Sequence, residues 1–419
     1  MTSSIRTHSA RSRRAASRRR GARHLAAIAL GIATPGLLAA QIPLSESGTL
    51  SAGPLYETVR FGDGIVQPGL TADGDVVVTR ASQWTVPFAA TLPMSARWTL
   101  DLAGAYSAGE VTLRGADPAS GAGRYELEGM TDLRLRATGH LVGDNVLLTL
   151  GATFPTGSQA LDREALSALR VLGAPALGFQ MPGVSVGSGA TAGLVLARQV
   201  GGWAWALGGS YEVRASYNPV QAFTAGIANP DFDPGDAVHV SLGTEGLVGQ
   251  HAMTFSLAAD LFTHDELRDG GGGAAVIAAT QLGPVYTASW RLRVGTRRFR
   301  ELSLYATDRY RTRYEQDGVR MAGSDGNYLD AGVRMVRSMG GRTDLLAGLN
   351  LRHQTGLEVD ESLTTAGAVA GGATLGLSRA LGGLLVQPYV RAQLGRMDTG
   401  GQRVSTTGFG AGIGFGGRF

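Results

Sequence analysis

Apolar and polar residues alternate one for one along most of this chain, most cleanly at its end. Phe409, Ala411, Ile413, Phe415, Gly417 and Phe419 share one face, while Gly408, Gly410, Gly412, Gly414, Gly416 and Arg418 share the other. A period of two is the signature of a strand whose two faces meet different surroundings. Here one face suits an apolar medium and the other is nearly bare backbone. The same register recurs upstream. Trp203, Trp205, Leu207, Tyr211 and Val213 alternate with Ala204, Ala206, Ser210, Glu212 and Arg214. Leu133, Leu135 and Ala137 alternate with Asp132, Arg134 and Arg136, and Met253, Phe255, Leu257 and Leu261 with Thr254, Ser256 and Asp260. Tyr286, Trp290 and Leu292 alternate with Thr287, Arg291 and Arg293, and Val390 and Leu394 with Arg391 and Gln393.

Two kinds of connection separate these segments. Tight ones fall at Val142-Gly143-Asp144, Gly201-Gly202, Gly249-Gln250, Gly340-Gly341 and Gly382-Gly383. Long polar ones fall near 114–128, 157–188, 218–236, 265–278, 318–327 and 359–364. They alternate along the chain, as expected when short turns face one side of a membrane and long loops the other. The pattern predicts an all-β fold, a transmembrane antiparallel up-and-down β-barrel of 14–16 strands, with 16 favoured. The strands are expected near 50–62, 76–92, 96–113, 129–141, 145–156, 189–200, 203–217 and 236–248. The other eight are expected near 251–264, 279–295, 301–317, 327–339, 343–358, 365–381, 384–397 and 404–419. If 50–62 instead lies in the bore as a plug and one other segment is a loop, the count falls to 14. Lipid offers no hydrogen bonds to an open sheet edge, so the last strand must pair with the first. A bore of this size is too wide for side chains alone to fill and holds water, inserted loops or both. A terminal phenylalanine closing an amphipathic strand resembles the signal that bacterial outer-membrane proteins present to the barrel-assembly machinery. Phe415 and Phe419 are its candidates.

Ahead of the barrel, eight arginines and no acid precede an apolar run from Leu25 to Ala40 that closes on Ala39-Ala40. A basic region, a short apolar core and small residues at its end read as a secretory signal. The expected organisation is therefore a signal peptide at 1–40, a short periplasmic segment at 41–49 and the barrel at 50–419. This changes the meaning of the net charge of +4. Without those eight arginines, 30 basic residues face 34 acidic ones, and the basic balance no longer points to nucleic acid. The absence of cysteine excludes disulfides, thiolate metal sites and thiol nucleophiles.

The sharpest chemistry lies on the polar faces. By register, Arg134, Arg136, Arg214, Arg291, Arg293, Arg309, Arg334 and Arg391 line the lumen, with Asp132, Glu212, Asp260 and Asp330. Rings of fixed charge select permeants by sign, and guanidinium binds carboxylates through two parallel bonds. The bland alternative is a ladder of ion pairs that braces the wall. In the longest loop, Leu161, Ala165, Leu169 and Leu172 recur at helical spacing, so a short amphipathic helix is expected, either folded inward or covering the mouth. Acids at Asp231, Asp233 and Asp236, and at Glu358, Asp360 and Glu361, lack the spacing of a calcium loop. No nucleophile with its base, no cofactor motif and no phosphate-cradling loop is present, and the glycines at 270–273 form a plain run. The reading is therefore non-enzymatic, with no cofactor or metal. The expected partners are outer-membrane lipids and lipopolysaccharide, and a small permeant.

Gly129-Met130-Thr131-Asp132-Leu133 opens one strand and Phe154-Pro155-Thr156-Gly157-Ser158 ends the next. Together with Val86-Pro87-Phe88 and Arg97-Trp98-Thr99-Leu100, they resemble the FadL-like outer-membrane transporters of the MetA-pathway phenol-degradation family. Thr131 stands where that family has a second glycine, and Ser158 where it has an aspartate. The resemblance implies passage of small hydrophobic or aromatic compounds across the outer membrane. Two alternatives stand beside it: a general or anion-preferring diffusion porin, and a plugged structural or enzymatic barrel.

Overall fold

The computed structural model describes residues 48–418 apart from 72–73, 116–121, 142–144, 180–183, 220–229, 270–274, 357–364 and 400–401. The expected leader, the Val142-Gly143-Asp144 turn, the acids at 358–361, the glycines at 270–273 and Phe419 lie outside the described residues.

Sixteen strands run up and down in chain order. The first four are β1 (Thr49–Ala52 continued by Leu55–Thr71), β2 (Gly74–Pro93), β3 (Trp98–Gly115) and β4 (Ala122–Met130 continued by Leu133–His140). Then come β5 (Val146–Phe154), β6 (Gly189–Val200), β7 (Trp203–Arg214) and β8 (Ala237–Val248). They are followed by β9 (His251–Phe262), β10 (Val285–Val294), β11 (Glu301–Arg311) and β12 (Gly326–Gly340). The last four are β13 (Thr343–Gly356), β14 (Thr365–Leu381), β15 (Leu384–Thr399) and β16 (Gln402–Arg418). Each pairs antiparallel with its neighbours, and β16 pairs with β1 from Thr49↔Arg418 to Phe61↔Thr406, which closes the barrel. Residues 50–62 are therefore wall and not plug, and the count is sixteen.

The tight turns at Gly201-Gly202, Gly249-Gln250, Gly340-Gly341 and Gly382-Gly383 all lie at one rim, because each joins a downward strand to the next upward one. Gly201, Gly249 and Gly382 take φ of 61°, 63° and 63°, the left-handed region that a two-residue turn demands and other residues avoid.

Some boundaries differ from expectation. The β1–β2 hairpin runs on to residues 71 and 74, and β4 begins at Ala122, inside the expected loop 114–128. The expected strands 251–264, 279–295 and 301–317 break at the outer rim. There His264–Arg268, Val276–Gln281, Glu315–Gln316, Val319–Arg320 and Asp231–Asp233 form a separate five-stranded sheet. Above the lipid, water can satisfy a backbone group, so the ladder is free to break and re-pair. The one-for-one alternation lapses at these breaks, in His264-Asp265-Glu266 and in Leu282-Gly283-Pro284, a trace that extending each strand to the next loop passes over.

Exposed apolar side chains follow the register on the outer face, among them Leu207, Leu257, Leu349, Val390 and Phe409. Two aromatic belts bound this surface. Trp98 and Tyr106 on β3, and Trp203 and Tyr211 on β7, are each eight residues apart on the outer face. Eight residues at about 3.3 Å each, along a strand tilted by about 40°, rise roughly 20 Å, close to the height of a barrel's apolar band. The barrel spans a membrane.

The bare inner face of β16 has a packing cause. A Cβ on Gly412 would lie 2.8 Å from the Tyr389 phenol and 3.0 Å from the Pro54 carbonyl oxygen. One on Gly410 would lie 3.4 Å from Cγ of Glu57. Side chains of β1 and β15 thus lie flat across the closing strand. Arg391 reaches over it to within 3.5 Å of Glu57 (Nη1 to Oε1), joining the two strands that flank the seam. Replacing Gly412 with Leu should overpack the seam by about 1–3 kcal/mol. The expected result is a smaller heat-modifiable barrel fraction on gels, partly restored by adding Tyr389→Ala. Equal barrel fractions in parent and Gly412→Leu would refute this account of the closing strand.

Candidate functional site

Among the described residues, one segment folds inward and narrows the bore. After β5, Asp162 caps a helix, α1 (Arg163–Leu172), by accepting from the Ala165 N–H at 2.8 Å. A short 3₁₀ turn (Pro175–Leu177) follows, and Gly178, at φ 68°, ends it. The helix face that carries Ala168, Val171 and Leu172 is fully buried, and Leu161 joins it. These residues form one apolar cluster with Val59 and Phe61 of β1, Val78 and Ala81 of β2, Val111 and Leu113 of β3, and Leu127 of β4. Ala368, Met397 and Val404 extend the cluster to β14, β15 and β16. A ten-residue helix is about 15 Å long, whereas this arc of seven strands is more than 30 Å wide on its outer side. Only the concave side brings all seven within reach, so α1 lies inside the bore. Of the stripe read from the sequence, Leu161 and Leu172 are buried and Ala165 and Leu169 partly so, the buried face centring instead on Ala168 and Val171, and the loop folds inward.

Gly178 marks the far end of this segment. A Cβ there would overlap the Arg352 guanidinium, which is buried and donates to Gln393. The inward segment thus spans from the inner wall of β2–β4 to that of β13 and β14.

The two motifs behind the family resemblance meet at the root of this loop. The Thr156 hydroxyl donates to the Thr131 carbonyl at 2.8 Å and accepts from the Leu133 N–H at 3.0 Å. The Thr131 hydroxyl accepts from the Ala105 N–H at 2.9 Å. Gly157 is closed in by Met130, Val184 and Ser185, all within 2.7 Å of where a Cβ would stand. The Asp132 carboxylate accepts from the Val186 N–H at 2.7 Å, which ties the return of the loop to β4. Asp132 was expected to line the lumen. Instead it sits in the break of β4, is only 5% exposed and holds the loop.

The remaining charges sort into two groups. Arg136 pairs with Asp101 at 3.2 Å, Arg214 with Glu212 at 3.4 Å and Arg391 with Glu57. His239 bridges Asp260 at 2.6 Å and Glu212 at 3.4 Å, while Asp330 accepts from the Tyr305 hydroxyl at 3.3 Å. These are the bracing ladders. Arg134, Arg291, Arg309 and Arg334 are exposed to the bore, and none has an ion pair among the described residues. Arg293 and Arg334 both stand opposite Ser303, one from each side. Arg291 stands directly opposite Tyr305, and Arg309 opposite Tyr328. Glu57, His239, Tyr305 and Tyr328 were not singled out from the sequence. Parity along their strands places them on the inner face, but nothing local marks them as neighbours of the arginines. Beyond the membrane, Arg313 donates to Asp325 at 2.8 Å and holds that carboxyl below the ordinary carboxylate range.

These features define a transmembrane β-barrel whose lumen is narrowed by an inward helical loop and lined by arginines, some braced and some not. No family model matches the chain, and no curated protein matches it by sequence. Solved structures similar to it include an outer-membrane channel from Pseudomonas putida F1, at 12% identity over 90% of this chain and 97% of that one, with a TM-score of 0.36. OprB of Pseudomonas putida, in its high-pH structure, is 11% identical over 89% of this chain and 94% of that one, with a TM-score of 0.43. A Pseudomonas aeruginosa FadL homologue is 11% identical over 89% and 90%, with a TM-score of 0.42.

Replacing Asp132 with Ala removes the acceptor that holds the Val186 N–H and should cost about 1–3 kcal/mol of loop anchoring. A freed loop should raise single-channel conductance in planar bilayers and speed protease cleavage within 157–188. Parent-like conductance together with parent-like cleavage would sink the anchoring role.

Proposed function

We propose that this protein is a passive channel of the bacterial outer membrane for small aromatic compounds, with aromatic carboxylates preferred. The observation that carries the reading is the pairing of arginine with tyrosine on the inner wall of β10–β12. Arg291 faces Tyr305 across one strand pair and Arg309 faces Tyr328 across the next. A guanidinium without a carboxylate partner is open to bind a carboxylate through two bonds. A phenol beside it offers its ring to an aromatic permeant. The inward loop packs on the arc formed by β1–β4 and β13–β16, so the arginine-bearing wall lies across the bore from the constriction. Permeants passing the loop are thus directed along the side that carries the selecting groups. The low-dielectric wall focuses the field of these charges on whatever occupies the bore.

A general anion-preferring porin is the second reading, favoured by the absence of any described segment packed against the inner wall of β6–β12. Planar bilayers separate the two. Under a salt gradient the parent should show an anion-selective reversal potential, and Arg291→Gln with Arg309→Gln should move it toward cations. Benzoate should reduce the parent's current at concentrations about tenfold lower than the double variant requires, the size of effect expected for one lost charge-assisted pair. Steady conductance indifferent to benzoate in both would favour the porin. A well-folded double variant with unchanged selectivity would defeat both forms of the arginine role.

A further inference from the structure

The outer face of the seam carries charge where a barrel is expected to meet lipid headgroups. Arg60 on β1 and Arg80 on β2 stand directly opposite one another. Their parity is that of Tyr56 and Trp84, on the side away from the buried Leu55, Glu57, Val59 and Phe61. Like charges directly opposite on a sheet repel, so this pair destabilises the bare wall. Among the described residues no ion pair answers it. The Arg80 guanidinium donates to the Tyr56 hydroxyl at 2.6 Å and the Thr58 hydroxyl at 2.9 Å, both neutral, and Arg60 is exposed with no ion pair among the described residues. On the other side of β16, Arg396 of β15 is also outward and exposed, without an ion pair among the described residues. It stands opposite Ser405, and Arg60 stands opposite Thr407, two residues along the same closing strand. Two other outward arginines of this region are paired with acids, whereas Arg114 donates, among the described residues, only to the Asp63 carbonyl oxygen. Arg124 has Glu110 at 3.5 Å and Arg403 has Asp398 at 3.0 Å.

Depth places the cluster. Tyr56 and Trp84 are in ring contact, with centroids 5.1 Å apart, and Trp84 is 53% exposed on the apolar face. Trp84 lies eight residues above the exposed Leu92 near the lower rim, the same separation as the two aromatic belts. Such aromatic residues sit at the level of the headgroups. Arg80 reaches back to the Tyr56 hydroxyl and therefore holds its charge at that level, directly above acyl chains. Glu110 stands on β3 opposite Ser82, diagonal to Arg80, and its ion pair is with Arg124.

We infer that Arg60, Arg80 and Arg396 form an outward-facing site at the barrel seam for the phosphate group of an outer-leaflet phosphorylated glycolipid, whose acyl chains lie on the apolar band below. A phosphate between the guanidiniums turns a repulsive pair into charge-assisted bonds, with the hydroxyls of Thr58 and Thr407 at its edge. The lipid's anchored chains add the specificity that a free anion lacks. The inference rests on the outer-membrane reading, but not on what the channel passes.

The test uses the full-length barrel, purified and reconstituted in phosphatidylcholine vesicles containing bisphosphorylated lipid A. Parallel vesicles contain the same glycolipid with its phosphates removed. After extraction, native mass spectrometry reads the fraction of barrels that retain glycolipid. Retention of the phosphorylated form is expected to fall about fivefold for Arg60→Gln and further for Arg60→Gln with Arg80→Gln, as about 1 kcal/mol per arginine implies. Arg124→Gln, whose arginine already has an acid partner, should retain lipid as the parent does. Arg60 makes no internal ion pair, so the single variant folds as the parent does, and its channel conductance serves as the check. Conductance unchanged with retention lost supports the site and leaves the transport reading standing on its own. Equal retention in parent and Arg60→Gln overturns the site. So does equal retention of the dephosphorylated glycolipid, or displacement of lipid A by inorganic phosphate at concentrations that occupy a free-anion site.

Discussion

Every backbone amide that enters lipid must find its partner within the protein, and an unsatisfied one costs several kcal/mol. For a sheet this requirement has one solution, closure, and closure needs the last strand to join the first. The seam of β15, β16 and β1 is where it is met. Its glycines let Tyr389, Arg391 and Glu57 lie across β16, and Arg391 and Glu57 then clasp the two neighbours from within. The glycine face that looks featureless in the sequence is the groove into which the seam packs. Side-chain bulk there would compete with the hydrogen bonds that keep the edge shut.

Most of the wall was legible because lipid imposes one rule on every strand. Apolar residues must face out at every second position, and short turns must return the chain at one rim. Phe409 through Phe415, Trp203 through Val213 and the Gly201 and Gly382 turns all record that rule. What was not legible lies where the rule lapses. Above the rim, His264–Arg268 leaves the barrel for another sheet, because water has taken over the satisfaction of its backbone; its polar run reads equally as loop, and nothing in it names the strand it will pair with. Asp132 also has the parity of a lumen residue. Its carboxylate is instead claimed by an N–H that is 54 residues distant, a contact without local trace in sequence. The helix of the inward loop was visible from Leu161, Ala165, Leu169 and Leu172. Its direction was not, since an amphipathic stripe does not say which apolar surface it will meet.

The charges in the bore answer to a different balance. A guanidinium in water gains little from an ion pair at an exposed site, typically under 1 kcal/mol, so a bracing pair has value chiefly where water is thin. Arg136 with Asp101 and Arg391 with Glu57 fit that description, with both partners half-buried or less exposed. Arg291, Arg309 and Arg334 are open to the bore, where leaving a charge without a protein partner costs almost nothing. Solvent exposure therefore explains why they can stay single without explaining why they are there. Arg291, Arg293 and Arg334 repel one another over neighbouring strands, and Glu301, close enough to act on Arg291, offsets only part of that repulsion.

The inward loop supplies the missing term. Its helix is held by apolar contact to the seam side, and its root is held by Thr156 and Asp132, so the constriction is fixed against one arc of the wall. A permeant entering past it travels along the opposite arc, where Arg291 and Arg309 each face a tyrosine. Fixing the obstacle to one side shortens the distance from every passing molecule to the charged wall. Salt screens charges beyond about 8 Å at physiological ionic strength, so bringing a permeant closer to the wall strengthens the field it feels from single arginines. On the proposed reading, a repulsive cluster that would be idle in a wide porin becomes a selective surface in a narrowed one, which links the clasp at Thr156 to the chemistry on β10–β12.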